Sequence, residues 1–422
     1  MVQMVRIKMR SVSLLAVFVL CAAFAPVRAG ESESKENALS NPQRREQIVM
    51  FREGTSKEQK LEIIKRKGAT VVRELALIDA YVVKFEKFSP NAVMLLKTEP
   101  SVENVSLDQY HKWLNVAAPV MPSVGGLLKG AAEGAKSVPG ILGEEQADPE
   151  KRSEIPWGVD RIGASKIWDR ATGKGVKVAV IDTGIDMEHP DLAANVKGGF
   201  NAVKPGESPQ DDQGHGTHVA GTIAAVPNGM GVIGVAPEAS LYAVKVLDAE
   251  GGGTYATIIA GIEWAAENGM NVANMSLGGP SAPPLEKAVQ KAYDKGLIIV
   301  AASGNSGPDA EVSAPASYAT TIAVTASTPE DGLAEFSSTG KEVDVIAPGH
   351  KVLSTWPGSK LAELSGTSMA SPHVAGLAAL AYQLGATSPE QVRKVLKKGA
   401  KSLDLKPEQQ GAGMPQADRW FN

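Results

Sequence analysis

Apolar and polar positions follow two rhythms along this chain. Before residue 116, short apolar runs alternate with amphipathic stretches. Residues 47–51, 80–85 and 102–107 are apolar enough to be strands. Residues 56–67 carry helical spacing, with Ser56 placed as N-cap and Gly68 as terminator. Ser89 followed by Pro90 marks a second helix start. The predicted order is β-α-β-β-α-β, a ferredoxin-like α+β domain. Residues 116–154 lack periodicity and are rich in Ala, Gly and Pro, which predicts an exposed linker. From Ile155 the rhythm changes. Residues 176–181, 241–247, 272–276, 297–302 and 321–325 are continuous apolar runs, separated by helical stretches such as 255–268 and 285–295. Strands without polar alternation are expected where both sheet faces are covered. The pattern therefore predicts an α/β fold, a mostly parallel sheet flanked by helices with right-handed crossovers. In such sheets chemistry gathers beyond the carboxyl ends of strands, and Asp182 and Asn305 each closely follow one.

The N-terminus bears on compartment. Arg6, Lys8 and Arg10 precede an apolar run over 11–25 that is too short for a comfortable membrane span. Val27-Arg28-Ala29 before Gly30 offers a cleavage site, so residues 1–29 read as a signal peptide and the protein as secreted. Cys21, the single cysteine, lies inside that segment. The mature chain would then hold no disulfide and depend on packing and bound ions. A net charge of −4, with both signs interspersed, leaves no nucleic-acid footprint. No membrane attachment is expected after signal cleavage, and a monomer is expected. The predicted division is signal peptide 1–29, small domain 30–115, linker 116–154 and large domain 155–422.

Candidate chemistry lies in three segments. Ser365-Gly366-Thr367-Ser368-Met369-Ala370 places Ser368 at a glycine-bordered turn before a small-residue helix. Such a turn exposes the hydroxyl, and the helix N-terminus offers N–H groups to a developing negative charge. A serine needs a base to take its proton. Ile181-Asp182-Thr183-Gly184 and Gly214-His215-Gly216-Thr217-His218 supply candidates. Singly, each has a plainer reading: a turn and cap, or a strand-end cap. Metal binding by His215 and His218 lacks the Glu of His-Glu-x-x-His. Their coincidence in the order Asp182, His215, Ser368 argues for a nucleophilic triad.

These three motifs resemble those of the subtilisin-like serine proteases (subtilases), and the resemblance extends from Ile155 to Ala417. It includes Gly251-Gly252-Gly253-Thr254-Tyr255, Asn274-Met275-Ser276-Leu277-Gly278-Gly279 and Ala301-Ala302-Ser303-Gly304-Asn305. It implies a serine endopeptidase acting on protein and peptide substrates, with Asn305 and the Ser368 N–H binding the oxyanion. Gly251, Gly252, Gly253 and Ser276, Leu277, Gly278 would flank an extended peptide. Tyr255, Ile258, Leu277 and Leu285 would line the pocket for the fourth residue before the cut, and Ser313 the primary pocket. A broad, apolar-leaning specificity follows. The resemblance also implies Ca2+, held by Asp191, Val226, Asn228, Met230 and Val232, with Ser153 in place of the family's N-terminal Gln. A second, weaker cation would sit on Ala316, Tyr318, Thr321 and Asp344. Residues 30–115 would be the propeptide, an intramolecular chaperone and inhibitor, cut free near Trp113-Leu114-Asn115. A catalytically dead peptide-binding protein and an esterase using the same triad are the alternatives.

Overall fold

The first strand, Glu46–Phe51 (β1), is buried along nearly its whole length between two antiparallel neighbours. In the computed structural model the described residues are 46–86, 88–115, 119–121 and 154–421. The signal-peptide reading of 1–29 and most of the linker reading lie outside them. After β1 come Lys57–Arg66 (α1), Ala69–Leu75 (β2), Ala80–Phe85 (β3), Pro90–Lys97 (α2) and Val102–Leu107 (β4). Ser56 caps α1 with a reciprocal Gln59 bond, and Ser89 caps α2 through Ala92 N–H. The sheet order β2-β3-β1-β4 is that of the ferredoxin-like fold.

A short strand, Tyr110–Lys112 (β5), then pairs antiparallel with Gly252–Thr254 in the large domain. That domain begins with Trp157–Arg161 (α3) and continues with Lys177–Asp182 (β6), Val196–Asn201 (β7), His215–Ala224 (α4), Ser240–Lys245 (β8) and Gly252–Thr254 (β9). Tyr255–Glu267 (α5), Val272–Met275 (β10), Pro283–Asp294 (α6), Ile298–Ala302 (β11), Ile322–Ser327 (β12) and Val343–Pro348 (β13) follow. The hairpin Val352–Trp356 (β14) and Lys360–Leu364 (β15) leads into Thr367–Gln383 (α7) and Pro389–Lys398 (α8). Seven parallel strands run in the order β13-β12-β11-β10-β6-β8-β7. From β6 the order runs one way through β8 and the other way through β10. This places a switch point at the carboxyl end of β6, where such sheets bind ligands.

Three elements escaped the apolar pattern. Gly198 and Gly199 dilute edge strand β7, and Asp344 interrupts β13. The hairpin β14–β15 mixes buried and half-buried positions too closely for either rhythm.

The small domain packs its apolar sheet face against the large one. Ile48, Met50, Leu75 and Val82 share a buried cluster with Ile258, Ile259 and Leu285 of α5 and α6. Polar contacts seal the seam: Asp108 Oδ1 accepts from Ala256 N–H in the first turn of α5 (2.8 Å), and Leu77 N–H donates to Glu263 Oε1 (3.1 Å). Burial pushes the Asp108 carboxyl up to about 6, against the opposing pull of the Ala256 N–H.

Helices α4 and α7 carry the site, and both are buried almost all round. Small residues make that possible. A Cβ on Gly221 would lie 2.2 Å from Thr355 Oγ1 and 2.5 Å from Ser354 Oγ of β14. Both hydroxyls are already committed, to Thr217 O and His218 O. Gly221→Ala should therefore cost about 1–3 kcal/mol through overpacking. Urea unfolding of a Ser368→Ala background, chosen to suppress self-digestion, measures it; a change below 0.5 kcal/mol, about the noise of a surface substitution, would refute the tight contact.

Candidate active site

Asp182 ends β6, and its side chain is completely buried. Its Oδ1 accepts from Thr183 N–H (2.7 Å) and lies 2.8 Å from His215 Nδ1. His215 is the first residue of α4 and only 1% exposed. The carboxylate fixes the tautomer with the proton on Nδ1, leaving Nε2 as an acceptor. That Nε2 is buried and has no hydrogen-bond partner among the described residues. Ser368 lies in the first turn of α7, and its Oγ donates to Ser276 O (3.1 Å). Ser276 Oγ in turn donates to Ser368 O (2.7 Å).

Asn305 is oriented by both ends of its amide. Its Oδ1 accepts from Thr367 N–H and Thr367 Oγ1, each 2.8 Å away. Nδ2 therefore points into the cleft, where it donates to the main-chain oxygen of Asn115 (2.6 Å). The expected substrate edges also carry chain. Gly278 N–H donates to Trp113 O (3.1 Å), and β5 pairs His111 with Gly253 and Lys112 with Gly252. A Cβ on Gly252 would overlap Tyr110 Oη at 1.9 Å, so the close approach requires glycine.

Tyr255, Ile258, Leu277 and Leu285 share one buried cluster, and Lys112, which precedes Trp113, is exposed beside it. Trp113 fills the apolar cluster instead, 2% exposed and edge-on to Tyr255 at 5.4 Å. Both Trp113 N–H and Leu114 N–H point at Gly251 O (3.1 and 3.3 Å), a one-residue bulge that turns the indole inward. Its Nε1–H is satisfied by Gly253 O (2.9 Å). Ser313 stands between Gly278 and Gly304: Cβ atoms built there would come 3.0 Å from Ser313 Cβ and 2.8 Å from its Oγ.

The motifs did not reveal what holds these groups in place. Asp211 accepts from Thr183 Oγ1, Gln213 N–H, Gly214 N–H, Thr217 N–H and Thr217 Oγ1, binding the β6 loop to the start of α4. Buried Lys245 donates to Thr183 O, Leu247 O and Asp212 Oδ1, tying three loops to one ammonium. Ser371 and Asn274 link α7 to Ser276. Four of the five bonds to Asp211 come from within the next six residues, whereas the pairings Asp211–Thr183, Lys245–Asp212 and Ser371–Asn274 span long stretches of chain, and no local signal marks those.

Among the described residues no group of three or more His, Cys, Asp or Glu side chains is placed to hold a metal. The first expected cation site relies on other oxygens. Asp191 is 1% exposed, and its carboxylate accepts from the Asn228 amide and Val232 N–H (both 3.0 Å). Burial raises its pKa, with Val232 N–H, Asn228 and His189 opposing. One desolvated carboxylate, an amide and the carbonyls of Val226, Met230 and Val232 are hard donors that fit calcium, with the Asn228 amide turned over to present its oxygen. Ser153 lies outside the described residues. The second expected site does not fit. Asp344 meets Lys397 Nζ at 2.7 Å and Arg393 Nε at 3.6 Å, and Arg393 also donates to Ala319 O and Thr321 O. Thr321 Oγ1 meanwhile bonds the carbonyls of Ala316 and Tyr318. Side-chain cations from α8 already occupy the place assigned to an ion.

The Subtilase family model matches residues 173–414. Subtilisin Savinase of Lederbergia lenta is 54% identical over 253 residues, 59% of this chain and 92% of the relative. The alkaline protease of Alkalihalobacillus alcalophilus is 53% identical over 265 residues, 62% of this chain and 68% of its own. Subtilisin E of Bacillus subtilis (strain 168) is 40% identical over 381 residues, covering 88% of this chain and 89% of the relative. A buried carboxylate–imidazole pair at the switch point of a parallel sheet, with a serine at a facing helix start, thus sits in a chain that belongs to the subtilase family. It is a serine endopeptidase.

Two other histidines are buried without charge partners. His218 Nε2 donates to Val352 O and Ala362 O, and His373 Nδ1 to Met369 O. Burial pushes them down to about 3 and about 4, from an ordinary 6.5. The unfolded chain takes up protons on both below pH 6.5, whereas the folded chain does not. Their contribution to stability is therefore intact above pH 6.5. It falls by about 1.4 kcal/mol per pH unit for each histidine as pH drops toward the folded values. Urea unfolding of Ser368→Ala at pH 7, 6 and 5 should show that slope, and His373→Gln should flatten it by about one histidine's share. An unchanged slope in the variant would contradict the buried, neutral assignment.

Proposed function

We propose that this chain is a secreted zymogen whose first substrate is its own Asn115–Val116 bond. The observation that carries this reading is the Asn115 carbonyl oxygen held 2.6 Å from Asn305 Nδ2. On this reading Ser368 Oγ attacks the Asn115 carbonyl carbon as His215 Nε2 takes its proton. Asp182 keeps the imidazole's Nδ1–H oriented and stabilises the imidazolium. Charge developing on the Asn115 oxygen is received by Asn305 Nδ2 and the Ser368 N–H, before His215 delivers the proton to the Val116 amine. Water then releases the acyl group by the same steps in reverse. The freed carboxyl end stays seated through β5 and Trp113, so residues 30–115 act as propeptide and product inhibitor. The N-terminal signal pattern supports export. Main-chain pairing with Gly251, Gly252, Gly253 and Gly278 supports broad substrate acceptance, and the Tyr255 pocket an apolar leaning. Ser313 narrows the primary pocket toward modest side chains such as that of Asn115.

The precursor of Ser368→Ala should stay full length, while the wild type should first expose Val116 as a new N-terminus. N-terminal sequencing decides, and cleavage of the variant would sink the reading. Asn305→Ala should lower kcat far more than it changes KM. Loss of the corresponding amide in subtilisin, the reference case, costs about 10²–10³ in kcat.

Asp191, Asn228 and the carbonyls of Val226, Met230 and Val232 would hold calcium. The ion's service there is to cross-link a loop that no disulfide staples. Binding only the folded state adds roughly 4 kcal/mol when calcium exceeds its dissociation constant a thousandfold. Chelation should shorten the inactivation half-life of the mature enzyme on heating, and Asp191→Ala should blunt that effect. A half-life indifferent to chelator would remove calcium from the account.

A further inference from the structure

Beyond Asn115 the chain meets the large domain again. Val120 forms an isolated antiparallel bridge with Glu363 of β15. Val120 N–H donates to Glu363 O (3.0 Å), and Glu363 N–H donates to Val120 O (2.8 Å). By count Val120 is the fifth residue past the Asn115–Val116 bond. On its other side β15 pairs only with β14, Leu353 lying opposite Glu363. In an antiparallel ladder a residue that exchanges both bonds with one neighbour occupies a non-bonded position toward the other. The Glu363 amide and carbonyl are therefore surplus to the hairpin and free to hold a third strand. The next residue, Met121, borders a cavity of about 520 Å³ shared with His189, Asp191, Met230, Lys360 and Leu361. Val120, Met121 and Met230 are 61%, 46% and 50% exposed, so another chain can take the same seat.

We propose that the outer edge of β15 is a substrate subsite on the leaving side of the cut. The fifth residue beyond the cleaved bond adds to Glu363 as a third strand, and the sixth places an unbranched apolar side chain in the cavity beside Met230 and Leu361. Residues 119–121 are its first occupant, and protein substrates follow once the linker is trimmed. Main-chain pairing accepts any sequence at the fifth position. This proposal rests on the cleavage reading above, because its register is counted from Asn115–Val116.

The test changes the substrate and leaves the enzyme intact. Quenched fluorescent peptides Lys-Trp-Leu-Asn-Val-Ala-Ala and Lys-Trp-Leu-Asn-Val-Ala-Ala-Pro-Val-Met are compared on the mature enzyme, with mass spectrometry locating the cut. Two backbone bonds and one half-covered side chain should raise kcat/KM about tenfold for the longer peptide. The gain should lie in KM, since these contacts are the same in ground and transition states. N-methylation of the fifth residue past the cut, which deletes the donor to Glu363 O, should abolish most of the gain. If the short peptide is not cut between Asn and Val, the cleavage reading and the subsite both fall. If it is cut there and lengthening brings no gain, or the N-methyl peptide keeps the full gain, the subsite alone is overturned.

Discussion

The close approach of α4 and α7 to the carboxyl ends of β6 and β10 is the constraint on which the rest of the cleft depends. A Cβ on Gly216 would sit 2.1 Å from Gly184 O, and one on Gly376 would sit 2.5 Å from Val235 Cβ. Only with these glycines can the start of α4 bring an imidazole to Asp182 while α7 runs buried across the sheet. The Asp182 carboxylate is wholly buried, and the 2.8 Å pair to His215 strengthens in that low-dielectric setting. Asp211 and Lys245 then spread the load. Each gathers donors or acceptors from several loops, so the β6 loop and the start of α4 are not held by their own elements alone.

The small domain lays its last strand along this site. Its apolar sheet face covers α5 and α6, and its last strand threads the cleft until the Asn115 oxygen reaches Asn305. The indole of Trp113 is the anchor, fully buried and hydrogen-bonded, whereas Lys112 beside it remains in solvent. Affinity here comes from a wide docking face and one aromatic plug, and the reacting end needs little grip of its own.

Much of this was legible in the sequence, for a physical reason. Asp182, His215 and Ser368 each sit where a strand or helix begins or ends, and such junctions leave short local signatures. The five strands foreseen in the large domain are continuous apolar runs because helices cover both faces. Gly198 and Gly199 in β7 and Asp344 in β13 break that rule, since an edge strand and an ion-paired strand tolerate polar or small residues. That Trp113 fills the Tyr255 pocket was not legible, because a bulge depends on which carbonyl two amides share, and no side-chain pattern records that. Lys245 and Thr367 act through partners far along the chain, as Asp211 does toward Thr183, and pairings of that range are fixed only by the fold.

At Asp344 the same long-range pairing has a different result. A dissolved ion occupies a site only as often as the medium supplies it, so dilution or a competing chelator empties it. The ammonium of Lys397 and the guanidinium of Arg393 are tied to α8, and their effective concentration at Asp344 is set by a few ångströms of chain. That corner of the enzyme carries its own counter-ions. Its charge balance is thus supplied by the chain and not by an ion that the surroundings must provide.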